Sequence, residues 1–203
     1  MMDFYLNNVT SLPDPRENET ALAGIPDWRR EYIVRYMRPG DRKLSLGVWR
    51  LLEETLHRKG FSISDVTIGK NGKLECEGVY FNLSHSADMV LCAISDTPVG
   101  CDIEKVTDAP MEVAEHVFSR KERQYIADAE NEGEMNRRFF RLWTMKESYV
   151  KMTGEGMSLS PKCVEIELET LTIQRDSMIQ SCTLQNTAYD GYEVSICQSE
   201  IRS

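Results

Sequence analysis

Residues 89–106, MVLCAISDTPVGCDIEKV, are the stretch on which the fold turns. MVLCAIS is an apolar run of strand length, the pattern of a strand buried on both faces. Asp96-Thr97-Pro98 carries turn residues, and VGCDIEKV resumes the β pattern, so the two segments read as a hairpin. Asp102 and Glu104 lie two apart in the second segment. On an extended strand both carboxylates leave the same face, with Cα atoms roughly 6–7 Å apart. They could share one cation, and a solvent-facing strand edge gives the same pattern with no ligand at all.

Upstream, VYFNLSHSAD (79–88) reads as a short strand with a helix starting inside SHSAD. His85 sits there among serines, able to donate to an anion or to satisfy a loop. FSISDVTIGKNGKLECEG (61–78) alternates like a pair of strands about the Asn71-Gly72 turn signal. A helix over about 42–59 buries Leu44, Val48, Leu51, Leu52 and Leu56, with Gly60 as its cap. An earlier helix runs from about Ile25–Trp28 to Met37, where Arg38-Pro39-Gly40-Asp41 breaks it.

Downstream of Pro110 the periodicity is helical through APMEVAEHVF, SRKERQYIADAE and EMNRRFFRLWTMKESYVKMTG. Ser119 and Glu122 have capping-box spacing. After Gly154 and Gly156 alternation returns in KCVEIELE, SCTLQN and YEVSICQ. Helix and strand thus occur twice over. The expectation is an α+β fold of two similar halves, 1–107 and 108–203, although no sequence repeat proves duplication.

Composition narrows the class. With 41% hydrophobic and 28% charged residues the chain is an ordinary globular protein, and no apolar run is long enough to span a bilayer. The start, MMDFYLNN, lacks a secretory pattern, so a cytoplasmic protein is expected. Six scattered cysteines without a Cys-x-x-Cys pair argue against a disulfide framework or a zinc site. A net charge of −9 argues against nucleic acid or an anionic membrane as the main partner, while residues 28–50 form a basic island.

WTMKESYVK (143–151) places Trp143, Glu147 and Lys151 at i, i+4 and i+8 along one helical face. Alone, this is a favourably oriented surface ion pair. Walker A, nucleophile-elbow and dinucleotide patterns are absent.

Taken in order, FNLSHS, VGCDIE and RLWTMKESYVK resemble the Sfp-type 4′-phosphopantetheinyl transferases. VFSRKE and GMSLSP extend the likeness over about residues 80–160, and RPGDRKLSLG looks like the basic segment ahead of the family's long helix. Cys101 stands where the family usually has Val or Ile. The resemblance implies transfer of phosphopantetheine from coenzyme A to a serine of an acyl or peptidyl carrier protein. Adenosine 3′,5′-bisphosphate is then released. It makes Asp102, Glu104 and Glu147 the ligands of Mg²⁺, a hard cation that favours carboxylate and phosphate oxygens. Glu147, directly or through water, becomes the general base and Lys151 the pyrophosphate contact. His85 would meet the 3′-phosphate, with Lys43 beside it, and Lys73 is either a nucleotide contact or a plain hairpin lysine. Trp143 would support the helix by packing. The family fold implies a pseudodimer with the site in the cleft between its halves, and hence a monomer. The alternatives are a non-catalytic coenzyme A- or carrier-binding module of this fold, or another Mg²⁺-dependent phosphoryl-transfer enzyme or hydrolase. Fatty acid, polyketide and non-ribosomal peptide carriers all stay open.

Overall fold

Two halves built to one plan make up the chain, in a computed structural model that describes residues 2–69, 72–156 and 159–201. The first half contains β1 (Asp3–Asn8), α1 (Asp27–Val34), the long α2 (Pro39–Arg58), and the short β2 (Thr67–Ile68) and β3 (Leu74–Glu75). It closes with a hairpin of β4 (Tyr80–Ser86) and β5 (Met89–Ser95). The second half opens with β6 (Val99–Lys105), then α3 (Ala114–Val117), α4 (Arg120–Ala127) and the long α5 (Glu132–Thr153). A small sheet of β7 (Val164–Glu167), β8 (Thr172–Arg175) and β9 (Met178–Ile179) follows. The hairpin of β10 (Cys182–Tyr189) and β11 (Tyr192–Ser199) ends it.

The two main sheets have the orders β1-β5-β4 and β6-β11-β10, all antiparallel. Each therefore puts the second strand of its hairpin in the centre and the first strand of its half at one edge. β1 corresponds to β6, β4 to β10, β5 to β11 and α2 to α5. The expected α+β pseudodimer is this arrangement.

Strand pairing corrects the reading of 89–106. β5 pairs with β4 and β1, and β6 pairs with β11, so no hairpin forms across Asp96–Pro98. Those residues carry the chain from one sheet to the other, pinned where Thr97 Oγ1 donates to the Ser199 carbonyl at 2.6 Å. By sheet membership β6 goes with the C-terminal half, whereas the division at 107 placed it with the N-terminal one. All seven residues of β5 and the first five of β6 are buried, so neither strand shows an alternation that would select its partner. The helix expected within SHSAD is instead the end of β4 and a turn, with Ala87 at φ 48°. Asn71 lies outside the described residues; Gly72 has φ 78°.

α2 begins at Pro39, not after it, because the first helical position needs no N–H donor and suits proline's fixed φ. It ends as the sequence suggests. Gly60 at φ 82° lets its own N–H and that of Phe61 reach the His57 and Leu56 carbonyls at 3.1 and 3.0 Å.

Three cores result. Trp49, Leu52 and Leu56 of α2 pack on Val90, Cys92 and Ile94 of β5. Phe139, Leu142 and Met145 of α5 pack on Val164, Ile166 and Cys197. Between the halves, Met89, Leu91 and Ala93 meet Val99, Cys101, Ile103, Val194 and Ile196. β5 and β11 feed different cores from their two faces, as a period of two requires.

α5 is locked from both sides. Its wholly buried Lys146 pairs with Glu122 at 2.8 Å and donates to the carbonyls of Pro161, at 3.0 Å, and Val164. Burial lowers the Lys146 pKa, and the Glu122 carboxylate opposes that. Opposite, α5 lies directly on Gly100 of β6. A Cβ there would stand 2.0 Å from the Ser148 carbonyl oxygen and 2.3 Å from the Met152 nitrogen, both backbone. Gly100→Ala should therefore force helix and strand apart and cost about 1–3 kcal/mol or more. Urea unfolding would show a lowered midpoint; an unchanged midpoint would contradict the contact.

Candidate active site

The approach at Gly100 fixes what lies beside it. Two residues along the same face of β6 comes Asp102, then Glu104, while α5 turns Glu147 and Lys151 towards them. Lys151 Nζ contacts Asp102 Oδ1 at 2.6 Å and donates to Ser84 Oγ at 3.0 Å. His85, Asp102, Glu104, Glu147 and Lys151 line one cavity of about 380 Å³, with Trp143 at its side. Five residues distant in sequence thus converge. Trp143 also stacks on Phe139, at 5.9 Å between ring centroids, which fits its expected packing role.

β4 and β6 are the facing edges of the two sheets, and side chains join them. Asn82 Oδ1 accepts from the Cys101 N–H at 3.1 Å, Ser84 Oγ donates to Asp102 Oδ1 at 2.8 Å, and Ser86 Oγ donates to Glu104 Oε2 at 2.7 Å. These three rungs recur every second residue of β4. Sequence reasoning took His85 from FNLSHS and missed Asn82, Ser84 and Ser86, although their i, i+2, i+4 polarity was the available signal.

The electrostatics are those of crowded acids. Burial raises the pKa of Glu147, and the Asp102 charge adds to it against the pull of Lys151. Burial likewise raises Glu104, with the Ser86 hydrogen bond opposing. Lys151 is pushed down by burial, yet the Asp102 charge outweighs this and its pKa ends above the ordinary lysine value.

The expected metal triad is gathered into one cavity but not drawn into a ligand shell. Among the described residues, no group of three His, Cys, Asp or Glu stands close enough to hold an ion. The ammonium of Lys151 sits on Asp102 instead. The chemistry of the donors nonetheless fits a hard divalent cation. All three are carboxylates, Asp102 Oδ2 is buried without a partner, and one ammonium faces three acids.

Lys43 is not brought to His85. Its Nζ donates to the Thr10 carbonyl at 3.3 Å, on the outside of α2. The reason is helical phase: Asp41, Ser45 and Val48 line a separate cavity that His85 also borders, and residue 43 is turned about 200° from Asp41. Lys73 does reach the site region, lining a cavity of about 660 Å³ with Asn82, Glu147, Lys151 and Pro161. A third cavity, of about 480 Å³, lies between α1, α2 and β4, with Trp28, Tyr32 and Tyr36 on its wall and His85 at its edge.

Residues 98–197 match the family model described as the 4′-phosphopantetheinyl transferase superfamily. The 4′-phosphopantetheinyl transferase Sfp of Bacillus subtilis (strain 168) is 28% identical over 191 residues, covering 89% of this chain and 85% of that protein. The 4′-phosphopantetheinyl transferase gsp of Aneurinibacillus migulanus is 32% identical over 122 residues, 59% of this chain and 51% of its own length. The corresponding psf-1 enzyme of Bacillus pumilus is 33% identical over 133 residues, 64% and 57% of the two chains. The chain belongs to the 4′-phosphopantetheinyl transferase superfamily. Asp102, Glu104, Glu147 and Lys151 all fall inside the matched segment, whereas Lys43, Lys73 and His85 precede it.

His85 is exposed at the cavity rim, yet the surrounding protein and then the Lys151 ammonium lower its pKa from the ordinary 6.5. The folded chain thus binds this proton less readily than the unfolded one. Its contribution to stability is complete above about pH 6.5 and declines as pH falls below that value. An NMR titration of the His85 ring should show a midpoint below about 6.5 that rises in Lys151→Met. A midpoint at or above the free value would contradict the described surroundings.

Proposed function

We propose that this chain transfers the 4′-phosphopantetheine group of coenzyme A to a serine hydroxyl of an apo carrier protein, releasing adenosine 3′,5′-bisphosphate. The observation that carries the reading is the convergence of Asp102, Glu104, Glu147 and Lys151 on one cavity. Three carboxylates and an ammonium suit a pyrophosphate with its cation better than a neutral substrate. We assign Asp102, Glu104 and Glu147 as the residues that would hold Mg²⁺. Bound there, the ion would neutralise the pyrophosphate and polarise the phosphorus under attack.

The protein's own groups do the rest. Glu147 takes the proton of the carrier serine as its oxygen forms the new bond to the phosphopantetheine phosphorus. The bridging P–O bond breaks, and the electron pair leaves with the adenosine bisphosphate. Lys151, one turn along the same face, balances the charge that develops on that leaving phosphate. Ser84 and Asp102 hold its ammonium in place beforehand. His85 and the aromatic cavity between α1 and α2 receive the nucleotide, and Lys73 reaches the phosphates from the other side. One chain supplies both walls of the site, so the working unit is a monomer. We place it in the cytoplasm, where coenzyme A and six free thiols are compatible. An acidic carrier would dock against local basic side chains despite the net charge of −9.

A non-catalytic module of the same fold would not need all four charged groups. The deciding experiment mixes the protein with coenzyme A, Mg²⁺ and a panel of apo carrier proteins, read by intact mass. A carrier should gain one phosphopantetheine, and Glu147→Ala should slow that gain by roughly 10²–10⁴-fold. Binding of coenzyme A without any mass gain would favour the non-catalytic module. Phosphopantetheine released into water would point to a hydrolase.

A further inference from the structure

Two of the six cysteines meet on one face of the C-terminal sheet. Cys182 opens β10 and lies opposite Ser199 of β11, while Cys197 of β11 lies opposite Leu184. In an antiparallel pair, opposite residues and those two along share a face. The two thiols are therefore diagonal neighbours on the side that packs against α5. They also interact. Cys197 lowers the pKa of Cys182 below the ordinary thiol value against the effect of burial, while Cys182 and then burial raise that of Cys197. Cys197 is wholly buried, and its thiol donates to Met152 Sδ at 3.5 Å. Cys182 is partly exposed.

Thiol–disulfide exchange needs an accessible thiolate and a second thiol beside it. The thiolate is the attacking species, and it forms more readily on the accessible partner, Cys182. Cys92 and Cys101 are the contrast, since both are buried and burial raises their pKa. The pair is also tied twice to the active-site helix. Met152 follows Lys151, and its backbone nitrogen is one of the two atoms nearest the space beside Gly100. Tyr149, two residues before Lys151, donates from its hydroxyl to Gln180 Oε1 at 3.1 Å. The Gln180 carbonyl in turn accepts from the Cys182 N–H at 3.0 Å. The start of β10 and the Lys151 turn of α5 are thus mechanically joined.

We propose that Cys182 and Cys197 are a site of oxidation by small disulfides such as oxidised glutathione, and that the bond formed between them disturbs the Lys151 end of α5. The Cys182 thiolate attacks one sulfur of the small disulfide, giving a mixed disulfide and releasing one small thiolate. Cys197 passes its proton to that thiolate, attacks the Cys182 sulfur and expels the second small thiol. One small disulfide and two protein thiols become one protein disulfide and two small thiols, so protons and electrons balance. Diagonal neighbours stand roughly 7–8 Å apart at Cα, against about 4.4–6.8 Å across a disulfide, so closure draws the two strands together. Cys197 then turns away from Met152, and the tie through Gln180 pulls on Tyr149. The effect on activity rests on the transferase reading above; the thiol chemistry does not.

In the test the full chain is incubated with oxidised glutathione, denatured in an alkylating reagent and mapped by proteolysis and mass spectrometry. The expected product is a peptide pair joined through Cys182 and Cys197 and separated by dithiothreitol. Glutathione retained on Cys182 with Cys197 alkylated, or both thiols alkylated, would overturn the proposal. In the carrier mass assay the oxidised chain should transfer roughly 10–100-fold more slowly, the scale of a slightly misplaced catalytic group, and dithiothreitol should restore the rate. Cys182→Ser should keep its rate through the same treatment; an equal loss in that variant would assign the effect to another thiol. A linked chain that transfers at the full rate would overturn the effect on α5. If the Ser variant does not fold, the linked peptide and the rate recovery of the native chain decide. A reduced native chain that transfers to no carrier overturns the transferase reading, and the peptide map then decides the thiol pair alone.

Discussion

The contact between α5 and β6 at Gly100 is the constraint from which the site follows. Any side chain there would meet the backbone of Ser148 and Met152, so the absence of a Cβ lets helix and strand lie closer than ordinary packing allows. Lys151 is then within hydrogen-bonding distance of Asp102, two residues along the strand. Glu147, one turn back, faces the same cavity. Lys146, next to Glu147 in sequence, points the opposite way and ties the helix to Glu122 and the 161–164 backbone. The helix is held from behind by one buried charge while it presents two others in front.

The halves contribute unequally to the chemistry. The C-terminal half supplies the acids and Lys151 on β6 and α5. The N-terminal half supplies hydroxyls and a histidine on β4, and the aromatic cavity beyond them. Between β4 and β6 no backbone ladder forms; Asn82, Ser84 and Ser86 take its place. Those rungs both join the sheets and orient Asp102 and Glu104. Sheet assembly and site geometry are in this respect one set of hydrogen bonds.

Much of this was legible in the residues. Period two put Asp102 and Glu104 on one face, period 3.6 put Glu147 and Lys151 on one face, and Ser119 with Glu122 formed the expected capping box. What was not legible depends on partners distant in the chain. β5 and β6 are apolar without alternation, so the turn residues at 96–98 suggested a hairpin where the chain in fact changes sheets. The family resemblance of RPGDRKLSLG made Lys43 an expected nucleotide contact, but the phase of α2 turns it away, onto the Thr10 carbonyl.

The central claim is that these carboxylates, brought together by the Gly100 contact, form one cation- and pyrophosphate-binding site. Mn²⁺ can stand in for Mg²⁺ and is seen directly by electron paramagnetic resonance. With coenzyme A present, the native chain should bind one Mn²⁺ and broaden its spectrum, and Asp102→Asn should leave the ion free in solution. A native chain that leaves Mn²⁺ free, or an Asp102→Asn variant that binds it as tightly, would contradict the account.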